Sequence, residues 1–227
     1  MTVLKVKKDI TANFGPIRDQ GKRPTCLAFA VSDAHASMRS EWASLSPEYI
    51  FYHAQILSGR LPTQGASLQA VLETLKTKGQ PYEKAWPYSP SLTSKSILQP
   101  PKSIAPLFRR DNKVVLIGLE KIIEALDANL PVILLIHLSK DFFCVGMDAL
   151  VDLSPSSQPD PQRRHAVVAI AYGEIRGQRA ILVRNSWGSD WGYLGCAWLT
   201  EDFLKAGLFA MALLGDELNV STDSITA

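Results

Sequence analysis

In the first third of the chain, apolar residues recur at helical spacing. Leu27, Ala30, Val31, Ala34, Met38 and Trp42 fall on the 3.6-residue period and predict a helix over 26–42. Ser46-Pro47-Glu48 then supplies a capping hydroxyl, a proline at the first helical position and an acid in the first turn. A second helix follows, carrying Tyr49, Ile50, Tyr52, His53 and Ile56 and stopping at Gly59. Ser67 opens a third helix through Val71, Leu72 and Leu75, closed by Gly79. Ahead of these, Leu4 and Val6 alternate with polar residues and predict a short strand.

The pattern changes after residue 86. Residues 87–106 are rich in Ser, Pro, Thr and Lys and read as an extended connector. Beyond it come a strand over 113–118, a short amphipathic helix over 119–129 with Ile122, Ile123 and Leu126, and an apolar strand over 131–139. Residues 152–164 form a Pro- and Ser-rich loop that leads into His165. Residues 166–172 and 180–184 read as a hairpin around Gly177, 193–199 as a further strand, and 216–227 as a mobile polar tail. Helices first and strands later, with no internal repeat, predict an α+β protein.

Composition narrows the field only a little. The chain has 227 residues, 46% hydrophobic and 20% charged, with a net charge of +2. That length supports one large core or two small ones. The small net charge predicts neither nucleic-acid nor membrane binding, and no apolar run approaches a membrane span. The N-terminal residues lack the apolar stretch of a signal peptide. There are three cysteines, Cys26, Cys144 and Cys196. Low cysteine usage favours a reducing compartment.

The candidate chemistry centres on Gln20-Gly21-Lys22-Arg23-Pro24-Thr25-Cys26. Here a polar turn passes into the first predicted helix with Cys26 at the junction. Backbone N–H groups at a helix start favour a thiolate, although a lone cysteine is more often a small buried apolar residue. Two further blocks weigh against that plainer reading. Arg163-Arg164-His165 precedes an apolar run, and Asn185-Ser186-Trp187-Gly188-Ser189-Asp190-Trp191-Gly192 follows the next one. Of the four histidines, His35 and His53 fall in helical segments and His137 lies within an apolar run. His165 borders a polar loop, where an imidazole can reach a cleft.

Gln20, Cys26, His165 and Asn185, in that order, resemble the papain-like cysteine proteases. The histidine follows the cysteine by about 140 residues and the asparagine by about 160, close to the ~130–150 of that family. The resemblance covers residues 13–212. It implies a papain-like two-domain fold: a helical left domain over 13–110 carrying the nucleophile, and an antiparallel β-barrel-like right domain over 111–212 carrying His165 and Asn185. Residues 1–12 would be an N-terminal arm and 213–227 a polar tail. In catalysis Cys26 would be the nucleophile, His165 its base and then the acid for the leaving amine, and Asn185 the residue orienting the imidazole. Gln20 would donate to the oxyanion with the Cys26 backbone N–H. Trp187 resembles the tryptophan that shields the His–Asn hydrogen bond. It joins Gly65, Ala66 and Arg164 as a substrate-binding candidate. Gly65 resembles the second glycine of a Gly-Gly pair that bonds extended substrate, with Gln64 in place of the first. Plain turn, core or solvated-surface roles remain open for Gly65, Trp187 and the two arginines. The resemblance implies no metal and no cofactor.

The departures concern specificity more than mechanism. Arg23 stands where the family's first disulfide cysteine would be, Pro24 replaces a cleft-lining glycine, and Leu27 replaces a tryptophan. Pairing of Cys144 with Cys196 stays open. The expected function is a cysteine endopeptidase acting on protein or peptide substrate in the cytoplasm. The chain resembles divergent bacterial members, some of them effector or toxin domains acting in a target cell and restrained by an immunity protein. Little chain precedes residue 13, so control by a separate inhibitory protein is expected, with 152–164 as its handle and Arg163 and Arg164 steering an acidic surface. The alternatives are a thiol-dependent acyl transferase or deamidase effector and a non-catalytic papain-like binding module.

Overall fold

The structure, a computed structural model, describes residues 4–91, 100–146 and 148–221. In chain order its elements are β1 (Leu4–Asp9), α1 (Cys26–Ser37), α2 (Pro47–Ser58), α3 (Leu68–Thr77), β2 (Leu107–Val115), α4 (Leu119–Asp127) and β3 (Val132–Leu138). These are followed by α5 (Lys140–Phe143), β4 (Leu150–Val151), β5 (Asp160–Ile175), β6 (Gln178–Arg184), β7 (Cys196–Thr200), α6 (Glu201–Gly207) and β8 (Leu208–Ser221). The chain divides into two compact units. One comprises Met1–Arg18 with Val114–Leu213, the other Asp19–Lys113 with Leu214–Ala227.

The first unit is built on β5. Its apolar run from Ala166 to Ala171 is buried throughout, as expected of a strand covered on both faces. β5 pairs antiparallel with β3, with β6 and, through its last residues, with β1. β6 pairs antiparallel with β7, and β3 with the first part of β8, while β4 runs parallel to β7. Helix α4 lies against β5, β1 and β3, burying Ile122, Ala125 and Leu126, and α6 lies against β3, β6 and β7. Gly173 lets β1 come close, since a Cβ there would overlap the Lys5 carbonyl.

The second unit is built on α1. Every residue from Leu27 to Ser37 is buried, so the helix is a core element with no solvent face. Small residues (Ala28, Ala30, Ala34, Ala36) let α2 and α3 approach it. Two of its polar side chains, Ser32 and His35, are met from one place, the amide of Gln80. That Nε2 donates to Ser32 Oγ and, at 2.8 Å, to the Ser46 carbonyl, while its Oε1 lies 3.2 Å from His35 Nδ1. Burial pushes the His35 pKa down to about 3, so this imidazole is neutral. The caps on α2 and α3 form as the sequence predicts. Ser46 and Ser67 accept from Tyr49 N and Ala70 N, and Gly59 and Gly79 take positive φ. The last part of β8 pairs with β2, where Arg110 donates to the Gly215 carbonyl at 2.8 Å.

Several boundaries differ from expectation. α1 ends at Ser37, and Trp42 packs instead against the Ala36, Leu45 and Phe108 cluster. β2 begins at Leu107, directly after the predicted connector and ahead of the strand start expected at 113; connector residues 92–99 lie outside the described ones. β5 begins at Asp160, inside the predicted loop, because Leu138 and His137 of β3 pair with Asp160 and Arg164. His165 is therefore within a strand and not at its start. β8 reaches Ser221, so 216–221 is strand where a mobile tail was expected, and 222–227 lie outside the described residues. Helix α6, capped by Thr200 accepting from Phe203 N, was not anticipated.

Candidate active site

The predicted residues fall into two groups, one in each unit. Cys26 is the first residue of α1 and is partly exposed. Thr25 precedes it as the cap residue, but its hydroxyl does not cap the helix. It lies 2.9 Å from the Tyr88 hydroxyl. Tyr88 Oη in turn donates to the Gln20 carbonyl at 2.7 Å. A phenol has one proton, so the Thr25 hydroxyl donates to Tyr88. Buried Gln20 sends its Nε2 to the Arg23 carbonyl at 2.8 Å, and that carbonyl also accepts from Thr25 N at 2.9 Å. The polar turn before the helix is thus closed by its own backbone and pinned by Tyr88.

Beneath this turn lies an ion pair that sequence reasoning missed. Arg23 is buried and forks onto buried Glu48 of α2, with Nη1–Oε2 at 2.5 Å and Nη2–Oε1 at 2.7 Å. Its Nη1 also donates to the Ser89 carbonyl at 2.7 Å, and its guanidinium lies 4.8 Å from the Tyr88 ring centroid. Glu48 reads in the sequence only as a first-turn acid. Its burial and its partner 25 residues earlier are tertiary facts.

In the other unit, His165 of β5 is buried, and its Nε2 lies 2.7 Å from Asn185 Oδ1. Asn185 directly follows β6, with its backbone N–H on the Gly195 carbonyl at 3.0 Å. Gly195 has φ +78, and a Cβ there would press on Ile17, so glycine is needed to close this loop. The Ser186 N–H donates to the same Asn185 Oδ1 at 2.8 Å. A backbone donor requires an acceptor, which fixes the amide's orientation by chemistry and not by atom labels. His165 Nε2 must then carry the proton, leaving Nδ1 as the basic nitrogen of the neutral ring. Burial pushes the His165 pKa down to about 4, with the Asn185 hydrogen bond pulling the other way.

An aromatic cluster covers this pair. The Trp187 ring lies 4.5 Å from the imidazole, Phe142 meets Trp187 edge-on at 5.5 Å, and Phe143 stacks on Trp187 at 5.5 Å. Trp191 Nε1 donates to the Phe142 carbonyl at 2.9 Å, anchoring the cluster. Phe142 and Phe143 carry no readable signal; they sit on the four-residue helix α5, far from the Trp in sequence.

The remaining candidates are less involved. Arg164 and His165 point to opposite faces of β5, as neighbours in a strand do. Arg164 donates from Nε to the Pro161 carbonyl at 3.2 Å, with its guanidinium 5.7 Å from the Phe209 ring. Arg163 shares the imidazole's face, pairs with Asp160 at 3.3 Å and lies 5.7 Å from Phe143. Gly65 is exposed, has open space where a Cβ would sit, and its carbonyl accepts from Arg60 at 2.7 Å. Ala66 follows it, half-buried. The other histidines have structural surroundings. His35 meets Gln80, His53 packs on Tyr49 at 4.4 Å, and His137 stacks on Phe209 at 4.5 Å. None of the three cysteines is in a disulfide, and burial pushes the Cys196 thiol up to about 11, which disfavours its thiolate.

Comparison with known proteins agrees with these features. Residues 5–212 match the papain family cysteine proteases. Mouse pro-cathepsin H is 28% identical over 201 residues, covering 87% of this chain and 60% of the relative. Chicken cathepsin K is 25% identical over 202 residues, covering 82% of this chain and 55% of the relative. The chain thus spans about three fifths of the length of these curated relatives. Among solved structures, xylellain, a cysteine protease from Xylella fastidiosa, superposes with a TM-score of 0.76 at 18% identity, covering 94% of this chain and 87% of the other. Procathepsin L 3 of the Tenebrio molitor larval midgut gives 0.72 at 19%, covering 94% and 71%. The fold is the α+β, two-domain papain fold, and the chain belongs to the papain family of cysteine proteases.

Proposed function

We propose that the chain is a cysteine endopeptidase in which Cys26 is the nucleophile, His165 the base, Asn185 the residue orienting that base, and Gln20 an oxyanion donor. The observation that supports this most is the His165–Asn185 hydrogen bond, which leaves Nδ1 of a neutral imidazole as the proton acceptor. In the proposed reaction, Nδ1 takes the Cys26 thiol proton, and the thiolate at the start of α1 attacks the substrate carbonyl. The carbonyl oxygen becomes an oxyanion, met by the Cys26 backbone N–H and Gln20 Nε2–H. The imidazolium then protonates the departing amine, and the C–N bond breaks to leave a thioester. Water, deprotonated by His165, attacks the thioester, releasing the acid and the thiol. Trp187 keeps water from the His165–Asn185 bond. Substrate would lie along Gly65 and Ala66, supported by the exposure of Gly65 and the open space where its Cβ would sit.

The proposal extends to control by a separate inhibitory protein, of the kind an effector or toxin protease acting in a target cytoplasm would need. The exposed residues 161–164 offer it a surface. Three thiols outside any disulfide fit a reducing compartment. The test is incubation of the protein with a cell proteome, followed by labelling of new N-termini. New termini that disappear with Cys26→Ala support the peptidase. Modified Gln or Cys side chains without new termini point to a deamidase or acyl transferase. No change at all points to a binding module.

A further inference from the structure

We infer that Arg23 is a positioning residue for the oxyanion donors, acting through its ion pair with Glu48. This rests on the peptidase reading and goes further, assigning a task to the position where the resemblance expects a disulfide cysteine. The Arg23 carbonyl is the point on which the turn closes. It accepts Gln20 Nε2 at 2.8 Å and Thr25 N at 2.9 Å. The direction of that one carbonyl therefore sets both where the Gln20 amide points and how the backbone enters α1, whose first residue is Cys26. The carbonyl is aimed by the residue's own side chain. The guanidinium is held by two bonds to Glu48, by the Ser89 carbonyl and between the Tyr88 and Phe51 rings.

Glu48 is held as firmly, by its place in the first turn of α2 and by the Ser89 N–H at 3.2 Å. Tyr88, adjacent to Ser89, closes the loop by donating to the Gln20 carbonyl. Buried Arg23, Glu48 and Gln20 and half-buried Tyr88 thus form one connected network around the turn.

Such a network is an expensive way to gain stability. Burying both charges costs about as much as their attraction returns, and a packed apolar pair is often as stable. What a bidentate pair adds is direction, because the planar fork and the carboxylate fix each other's orientation. Placing an oxyanion donor needs that property, since a displacement of about 1 Å costs on the order of 10²-fold in rate.

The test separates position from stability. The double variant Arg23→Met/Glu48→Leu removes both charges and keeps the volume, and Arg23→Lys keeps the charge but loses the fork. Two rates are measured for each variant and for wild type. One is hydrolysis of a fluorogenic peptide amide, which forms an oxyanion. The other is alkylation of Cys26 by iodoacetamide, followed by peptide mapping, which does not. The double variant is expected to unfold within a few degrees of wild type, to lose about tenfold or more in kcat with KM within about twofold, and to alkylate within about threefold of the wild-type rate. Arg23→Lys should show the same split at smaller size, and it decides the matter if the double variant does not fold. The inference is overturned if kcat is unchanged, or if hydrolysis and alkylation fall by the same factor. If wild type hydrolyses no faster than Cys26→Ala, the peptidase reading itself falls and this role with it. An active wild type with indifferent variants removes only the positioning role.

Discussion

The Nε2 of His165 and the Oδ1 of Asn185 lie 2.7 Å apart, and the Ser186 N–H donates to the same oxygen. One backbone hydrogen bond therefore determines the amide's orientation, the amide determines the imidazole tautomer, and the tautomer leaves Nδ1 as the unprotonated nitrogen. Asn185→Ala would leave a buried Nε2–H without an acceptor. It should destabilise the fold by about 1–3 kcal/mol and lower kcat by ~10–10²-fold with little change in KM, because the ring is no longer held for proton transfer. Urea unfolding and steady-state kinetics on the same preparation check both numbers.

Trp187 lies over the imidazole and contributes to the burial that depresses its pKa. Trp187→Ala lets water reach the ring, and desolvation of the charged form is the larger cause of the shift, so the pKa should rise from about 4 toward the ordinary 6.5. Titrating the His165 ring protons by NMR in a Cys26→Ala background reads this directly, free of the thiol. An unmoved pKa would mean that Phe142 and the strand, and not the indole, keep the site dry.

Three histidines couple folding to pH with the same sign. Buried His35 and His165 have folded pKa values of about 3 and about 4, and half-buried His53 one of about 4, all below the ordinary 6.5. Below pH 6.5 the unfolded chain takes up protons that the folded chain refuses, so stability is full above 6.5 and falls as pH drops. Between pH 6.5 and 5 His35 and His165 each contribute a slope approaching about 1.4 kcal/mol per pH unit, and the more exposed His53 less, before carboxylates begin to titrate. Urea midpoints across that window in the Cys26→Ala background should show the decline, and His35→Gln should reduce its slope. A flat profile would contradict the burial assigned to these rings.

The two serine caps should differ in weight. Ser67 accepts from Ala70 N at the partly buried start of α3, whereas Ser46 is fully buried, accepts from Tyr49 N and donates to the Trp86 carbonyl at 2.6 Å. Ser67→Ala should cost about 1 kcal/mol. Ser46→Ala should cost more, about 2–3 kcal/mol, because it also leaves a buried carbonyl unmet. Equal losses in urea unfolding would show that the Trp86 contact contributes nothing.

Much of this molecule is legible in its sequence because the signals are local. Ser46 and Ser67 cap where they stand, Gly59 and Gly79 turn the chain where they stand, and Asn185 follows its strand. What was hidden depends on partners far along the chain. The residues before His165 look like a loop because prolines and serines dominate them, yet β3 recruits 160–164 into β5. The polar residues after Gly215 look like a tail until β2 pairs with them. The Arg23–Glu48 pair joins two residues that each look like ordinary surface charges. Helix α6 is a different case. Its Thr200 cap and acidic first turn at Glu201 and Asp202 were present in the sequence as a readable start signal.

The central claim is that Cys26 is a nucleophile activated by His165. Its most direct measurement is peptide mapping by mass spectrometry after reaction with an epoxysuccinyl peptide, on wild type and His165→Ala. The account predicts a single adduct on Cys26 in wild type, formed at least ~10²-fold more slowly when the imidazole is gone. An adduct forming first on exposed Cys144 or on Cys196, or on Cys26 at the same rate without His165, would contradict it.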